Sequence, residues 1–314
     1  MRIASLLPAT TEIVAALGRA DDLVAITFEC DHPPGLTAPV VVRSALEPGM
    51  TPGEIDRTVR ERAAAGLPMY DLDREALRAA APDVVLTQDL CGVCALPGHT
   101  VAEALVEIGL PDVAVHSFDP HTLDEVLSGI ADLAAAIDTD ATAMLSDLRR
   151  RLSAVDAALA AEPRPRTLVL EWTDPPFLPG HWVPELVRRA GAFPTAGADG
   201  GRSRAVTWEE LESPDAVVVT PCGYDLDGAL QQAGPVAERF PDVPVVAIDS
   251  AAYVVRAGPR LVDGIEALAH ALHPGAVPEP GEVRCALVSR EGRHRDLSVL
   301  RTSRTVDVSA HRGH

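Results

Sequence analysis

Lysine and asparagine are both missing from this 314-residue chain: its 27 basic positions are all arginine. Without lysine there is no Schiff-base chemistry and no phosphate loop of the Walker type. Without asparagine there is no N-glycosylation site. Excess positive charge is missing too. A formal net charge of -19 argues against a non-specific nucleic-acid or anionic-membrane surface, because the phosphates would be repelled. No stretch approaches the roughly 18 consecutive apolar residues of a membrane-spanning helix. The opening segment, residues 1–8, resembles a secretory leader only in outline, since Pro8 and Glu12 break its apolar run. The expectation is a cytoplasmic protein with reduced thiols. Five cysteines then read as metal-binding, catalytic or buried groups and not as a disulfide framework. A nucleophile elbow, a dinucleotide fingerprint and a zinc-protease helix are absent as well.

What is present is a globular composition, 47% hydrophobic and 23% charged, over a length that accommodates two domains. Short apolar runs predict strands at residues 3–7, 23–28, 40–42, 84–86 and 113–116, then at 167–170, 216–219 and 245–248. Between them lie helical patterns. Residues 11–17 are capped by Thr10 or Thr11 and stopped by Gly18; residues 51–65 carry Pro52 in the first turn. Asp73 caps a helix to residue 81, and further helices are predicted at 100–108 and, capped by Thr122, at 123–137. After the midpoint come 183–190 (stopped by Gly191), 207–211, 226–232 and 258–272. Such alternation implies parallel sheets wrapped by helices.

Residues 139–161 differ in kind. Ala141, Leu145, Leu148, Leu152, Val155 and Leu159 follow steps of four and three, an apolar stripe on a helix of about 34 Å. Pro163 and Pro165 end it. It reads as a rigid connector (139–162) between an N-terminal α/β lobe (1–138) and a C-terminal one (163–273). The fold class is therefore α/β, with two lobes of parallel sheet joined by a long helix. The halves echo each other. Glu12-Ile13-Val14 closing at Gly18 matches Glu185-Leu186-Val187 closing at Gly191, and a Pro-Asp pair precedes strands at both 84 and 216. Residues 274–314 read as a flexible or loosely docked tail. From residue 281 it holds seven Arg against four acidic residues, and its apolar runs 285–288 and 297–300 can each form a strand.

Ligands of open parallel sheets bind outside the carboxyl ends of the strands. Those ends carry Pro8 and Thr10; Glu29, Cys30 and His32; Gln88, Cys91 and Cys94; Glu171, Trp172 and Asp174; Cys222 and Tyr224; and Asp249, Ser250 and Tyr253. Three readings of the thiols stand side by side. Cys91 and Cys94 with Cys30, Cys222 or His32 could bind zinc or an iron-sulfur cluster. Cys91 and Cys94 could form a redox pair. All could simply pack, since free cysteine is among the most buried residue types.

The opening run Ser5-Leu6-Leu7-Pro8-Ala9-Thr10-Thr11-Glu12-Ile13-Val14, with Pro82-Asp83-Val84-Val85-Leu86 and the mid-chain helix, resembles the cobalamin and iron-chelate periplasmic substrate-binding family over residues 1 to 273. The resemblance implies two Rossmann-like lobes joined by one rigid helix, with a chelated metal or corrinoid held between them. Glu12 and Glu185 resemble the paired glutamates with which exported members dock onto an ABC permease. Glu29-Cys30-Asp31, Cys91 to Cys94 and Pro221-Cys222-Gly223 resemble motifs of a leaderless branch described as cobalamin-binding.

The aromatics Trp172, Phe177, Trp182, Tyr224 and Tyr253 can wall a flat apolar ligand such as cobalamin or another corrinoid, or they can fill the cores. Arg256 and Arg260 can meet an anionic group or form surface ion pairs. His181 and His32 are conceivable cobalt or iron ligands. Glu171 and Asp174 read as an acid/base pair or as loop caps. The expectation is a binding protein for a metal-containing small molecule in the interlobe cleft. Its alternative is a cysteine-ligated metal or iron-sulfur protein, including a metal-dependent enzyme.

Overall fold

The computed structural model of the protein describes residues 1–89, 96–281, 285–288, 293–296 and 306–307. By its contacts the chain divides into two compact units, Met1–Pro120 with Asp124–Ser146, and His121–Leu123 with the described residues from Asp147 onward. Each has its own sheet and core.

The first unit starts with β1 (Ile3–Ser5) and α1 (Pro8–Ala16), followed by β2 (Leu23–Thr27), β3 (Val40–Ser44) and α2 (Pro52–Ala64). After β4 (Tyr70–Leu72) come α3 (Arg74–Ala80), β5 (Val84–Thr87), α4 (Gly98–Glu107), β6 (Ala114–Ser117) and α5 (Leu123–Ala136). The sheet order is β4-β3-β2-β1-β5-β6, parallel throughout except for β4 at one edge. Central strands are covered on both faces, so they read as unbroken apolar runs; Val84, Val85 and Leu86 are all buried.

The strand β1 is shorter than its apolar run suggests. Pro8 supplies a preset helical φ at the first helical position, and the Thr11 N–H closes on the Leu7 carbonyl at 3.2 Å. Leu7, not a threonine, is the N-cap. Thr51 and Asp73, by contrast, cap α2 and α3 with their side chains as expected, and Thr51 forms a reciprocal capping box with Glu54.

The helix α6 (Thr142–Ala158) has 17 residues, about 25 Å at the standard rise, and the boundary between the units falls inside it. All six stripe residues from Ala141 to Leu159 are buried. On its other side Arg151 is clamped by Asp263 and Glu266, which raise its pKa further above the ordinary guanidinium value.

The second unit runs β7 (Arg166–Leu170), β8 (Trp172–Thr173), β9 (Pro176–Leu178), α7 (Val183–Arg189), β10 (Phe193–Pro194), β11 (Arg204–Ala205) and β12 (Ala216–Val219). Then follow α8 (Leu226–Arg239), β13 (Val245–Ile248), α9 (Ser250–Tyr253), α10 (Leu261–Leu272) and the strands β14 (Cys285–Val288), β15 (Arg293–Asp296) and β16 (Val306–Asp307). The main sheet has the order β10-β7-β12-β13-β14-β15-β16, with the first four parallel and the last three antiparallel. A small antiparallel sheet, β11-β9-β8, stands beside it.

Two differences from the sequence reading have clear causes. The helix α8 continues past Gln232 through Pro235 because its buried face (Ala229, Ala233, Val236, Ala237) extends beyond the proline. That packing offsets the lost hydrogen bond, a break that costs about 3 kcal/mol in a helix interior. The run 285–288 joins the sheet as β14, with Cys285 and Ala286 buried, whereas the run 297–300 lies outside the described residues.

The echo between the halves has a geometric basis. Gly18 (φ +78°) and Gly191 (φ +84°) each follow the last turn of a helix, and the residues after them, Arg19 and Ala192, donate back to Val14 and Val187. Both helices therefore end in the same 6→1 and 5→2 motif. Their surroundings differ: a Cβ at Gly18 meets nothing within 4 Å, whereas one at Gly191 would come within 2.7 Å of His273 Nε2 and 2.9 Å of Leu159.

Gly18→Ala is therefore expected to cost about 1 kcal/mol of stability, the left-handed backbone term alone. Gly191→Ala should cost clearly more, through displacement of His273, in chemical denaturation of the two variants. Removal of residues 282–314 should uncover the β13 edge, lowering the thermal midpoint and increasing light scattering on heating. Unchanged melting and scattering would show that β14 contributes nothing to the second unit.

Candidate functional site

Because β1, β2, β3, β5 and β6 run in one direction, the turns that follow them gather at one edge of the first sheet. Pro8 is buried there at the start of α1. Beneath it Thr11 Oγ1 donates to Ser5 Oγ at 2.7 Å, Ser5 Oγ lies 2.7 Å from Thr10 Oγ1, and Thr10 Oγ1 donates to the Leu7 carbonyl at 2.9 Å. Cys30 Sγ sits 2.9 Å from Thr11 Oγ1. Each hydroxyl has one proton; with that of Thr11 committed to Ser5, the Cys30 thiol is the donor in the last link. This chain of hydroxyls, which keeps the half-buried thiol in a polar niche, carries no signal in the sequence beyond the Thr-Thr pair. His32 is half-buried on the same turn.

Gln88 is buried, and its amide donates to the Phe118 carbonyl at 3.2 Å. Asp89 ties three segments together: its carboxylate accepts from Gly98 N at 2.7 Å and Ser117 Oγ at 2.9 Å, and its own N–H donates to Asp119 Oδ1 at 2.6 Å. Cys91 and Cys94 lie outside the described residues. Among the described residues no group of three or more His, Cys, Asp or Glu is placed to hold a metal ion. A cavity of about 240 Å³ opens beside β6, lined in part by His116, Ser117, Asp119, Glu125 and Asp132. It is smaller than the roughly 300–1,000 Å³ of ordinary small-molecule pockets.

In the second unit the carboxyl ends of β7, β12 and β13 bring several predicted residues together. Cys222, exposed on the turn after β12, donates its backbone N–H to the Glu171 carbonyl at 3.0 Å. The next residue, Trp172, meets Tyr224 edge-on with ring centroids 5.6 Å apart, and its indole N–H donates to the Asp174 carbonyl at 3.1 Å. Ala251 N–H donates to the Tyr224 carbonyl at 3.0 Å, which places Tyr253 and α9 alongside. The Arg260 guanidinium stands 5.4 Å from the Tyr253 ring centroid. Trp172, Tyr224, Tyr253, Arg256 and Arg260 are all half-exposed. Burial pushes both tyrosine phenols above their ordinary pKa of 10.0.

Other expected residues turn out to serve the scaffold. Trp182 is 6% exposed and its indole donates to the Val254 carbonyl at 2.8 Å, which places it in the core of the second unit. Glu171 accepts from the Ser203 hydroxyl and from Gly180 N at 3.3 Å, so its carboxylate braces that loop. Glu12 is 3% exposed, and Glu185 accepts from Leu123 N at 2.9 Å. Neither presents an uncommitted surface carboxylate. His181 lies with its ring 5.9 Å from His121, a neighbour that sequence spacing gave no reason to single out.

Comparison with solved structures places this architecture. The chain has the fold of a periplasmic haem-binding protein from Pseudomonas aeruginosa, at 22% identity and a TM-score of 0.59, over 88% of this chain and 93% of that one. It is similarly related to the periplasmic vitamin B12-binding protein BtuF of Vibrio cholerae (20%, TM-score 0.60, 87% and 96%). The periplasmic haem-binding protein HutB of the same organism matches at 20%, TM-score 0.59, over 87% and 99%. No family model and no curated protein matches the sequence. The neighbours are two-lobed binding proteins, as the resemblance implied for this chain. No described helix is long and apolar enough to cross a membrane.

Asp249 connects this edge to a measurable property. Its carboxylate caps α9 by accepting from Ala252 N at 2.9 Å, yet burial, foremost, and then Asp225 raise its pKa above the ordinary 3.8, against that hydrogen bond and Arg260 and Arg256. The folded state thus holds a proton more tightly than the unfolded one. The stabilisation is full below pH 3.8 and is lost as pH rises through the folded value. Asp249→Asn, which can still cap, should flatten the fall in unfolding free energy just above pH 3.8. An unchanged pH profile of denaturation would refute the assignment.

Proposed function

We propose that this protein binds a metal-containing small molecule of the corrinoid, haem or iron-chelate type, and that the half-exposed face formed by Trp172, Tyr224, Tyr253 and Arg256 contacts it. The observation that carries the reading is that face: two aromatic rings in edge contact, a third beside them, and two arginines, all at the carboxyl edge of a parallel sheet. Flat conjugated rings are held well by aromatic side chains, and guanidinium groups pair with the carboxylates or phosphates that such chelates carry. The fold likeness to haem- and vitamin B12-binding proteins supports the same class of ligand. In the second unit Trp172 is partly exposed at this edge, whereas Trp182 is 6% exposed.

The binding step needs no chemistry from the chain beyond contact. Trp172 and Tyr224, in edge contact, offer aromatic surface, Arg256 and Arg260 supply positive charge, and the buried scaffold beneath them keeps the rings in place. A solute-binding protein that hands its ligand to an ABC permease is the corresponding biological role. Because Glu12 is buried and Glu185 is engaged, docking by other surface residues is part of this proposal.

The test is titration of the full chain with cyanocobalamin, haemin and a ferric catecholate, followed by tryptophan fluorescence and calorimetry. At least one should bind saturably at micromolar concentration, and Trp172→Ala should weaken it by about tenfold, the loss of roughly 1.4 kcal/mol of ring contact. Absence of binding by all three at micromolar concentration would overturn the reading.

A further inference from the structure

We infer that α8 sets the geometry of the aromatic face from behind: Gly228 seats the ring of Tyr224, and Gln232, one turn further on, anchors the hairpin that carries Trp172. Both are positioning residues for the ligand, an inference that rests on the reading of this face as the chelate-binding one. Trp172, Thr173, Tyr224, Gly228 and Gln232 all belong to the second unit. Residues four apart share one face of a helix, so Gly228 and Gln232 look the same way.

The seat at Gly228 is steric. A Cβ there would stand 2.4 Å from Tyr224 Cδ1 and 3.2 Å from Tyr224 Cβ and Cγ. These atoms lie at the root of the side chain, so the ring has to turn about χ1 or χ2 to make room, and that takes it out of its 5.6 Å edge contact with Trp172. The backbone of Tyr224 is tied as well: its N–H donates to the Pro221 carbonyl at 3.2 Å, and its carbonyl accepts from Ala251 N at 3.0 Å. Nothing in the helix itself asks for glycine. Gly228 has no positive φ, its N–H donates to the capping Asp225 Oδ1 at 2.9 Å, and alanine is the better helix former. Gly234 in the same helix differs, since a Cβ there meets nothing within 4 Å.

The anchor at Gln232 is polar. Thr173 Oγ1 donates to Gln232 Oε1 at 2.8 Å, and Gln232 is 7% exposed. Its Nε2 is buried and has no hydrogen-bond partner among the described residues. A buried amide with an idle donor is costly, and an apolar side chain of similar size avoids that cost. What the amide contributes here is the acceptor for Thr173. The hairpin's own ladder is short: β8 has two residues, Trp172 pairs with Phe177 and Thr173 with Pro176, and Pro176 has no N–H to give. Successive strand residues point to opposite faces, so tying Thr173 inward keeps Trp172 turned outward, where it is partly exposed.

The test titrates the full chain and its variants with haemin and with cyanocobalamin. It also records near-ultraviolet circular dichroism of the free proteins, which reports how the Trp172 and Tyr224 rings face each other without a ligand. Gly228→Ala should weaken binding by about tenfold and change the free-protein spectrum. Gly234→Ala, the same substitution in the same helix, should change neither. In a Tyr224→Ala background Gly228→Ala should have no further effect on affinity, as expected when one residue acts through the other. Thr173→Val should weaken binding by about fivefold. Thr173→Ser, which keeps the donor, should stay within about twofold of wild type. Wild-type affinity and spectrum in Gly228→Ala, or an equal loss with and without the Tyr224 ring, would overturn the seat, and wild-type affinity in Thr173→Val would overturn the anchor. Should Gly228→Ala fail to fold, recovery of folding when Tyr224→Ala is added supports the seat, and continued failure overturns it. If neither chelate binds the wild-type protein, the chelate reading falls, while the free-protein spectra still decide whether Gly228 and Thr173 set the rings. Unchanged spectra and affinities in all variants of a protein that binds refute this inference alone.

Discussion

The constraint on which everything else depends is the burial of parallel strands on both faces. A strand covered on both sides tolerates almost no polar side chain, so polar groups are driven to its ends. With β1, β2, β5 and β6 parallel in one unit, and β7, β12 and β13 in the other, those ends collect at one edge of each sheet. Thr87, Gln88 and Asp89 follow Val84-Val85-Leu86 in the first unit; Thr220, Pro221 and Cys222 follow Val217-Val218-Val219 in the second. The buried pair of Thr220 Oγ1 and Ser250 Oγ, 2.8 Å apart, does in the second unit what the Ser5–Thr10–Thr11 chain does in the first. Hydroxyls that satisfy one another let polar residues remain beneath the edge without the cost of an unpaired group.

The same physics decides which parts of the fold are legible from residues alone. Ala216–Val219 and Val245–Ile248 have the bounds expected of them, because a fully buried strand contrasts with everything around it. The α6 stripe is equally plain, since six apolar residues at helical spacing leave one solution. Short strands give no such contrast. The pairs β8 with β9 and β9 with β11 contain only two or three residues each, and their cause lies in backbone pairing across a Pro-rich turn. Pro235 misleads in the opposite direction: a residue that ends most helices is tolerated where enough apolar surface lies beyond it.

Candidate site residues were less legible for a related reason. A strand-end position says that a polar or aromatic side chain is close to the ligand-binding edge, not which way it faces. Trp172 and Trp182 both satisfied the positional rule, and the structure separates them by the partner of one indole N–H: the Asp174 carbonyl on an open hairpin, or the Val254 carbonyl inside the core. Gln88 and Pro8 are at the edge by position and within the scaffold by burial.

Fold likeness at about 20% identity fixes the frame and not the ligand. Several side chains at the sheet edges are committed to the scaffold. Glu171 braces Gly180 and Ser203, Trp182 anchors α7, Glu12 is buried in α1, and Cys30 closes a hydroxyl chain. Each has partners that a bound molecule would have to displace, at about 1–3 kcal/mol for every buried polar group left unpaired. Trp172, Tyr224, Tyr253, Arg256 and Arg260 are each partly exposed at the carboxyl edge of the second sheet. The proposed ligand would meet three aromatic rings and two guanidinium groups there. A large planar molecule with peripheral anionic groups matches that combination, and a small polar solute would leave the rings without a partner.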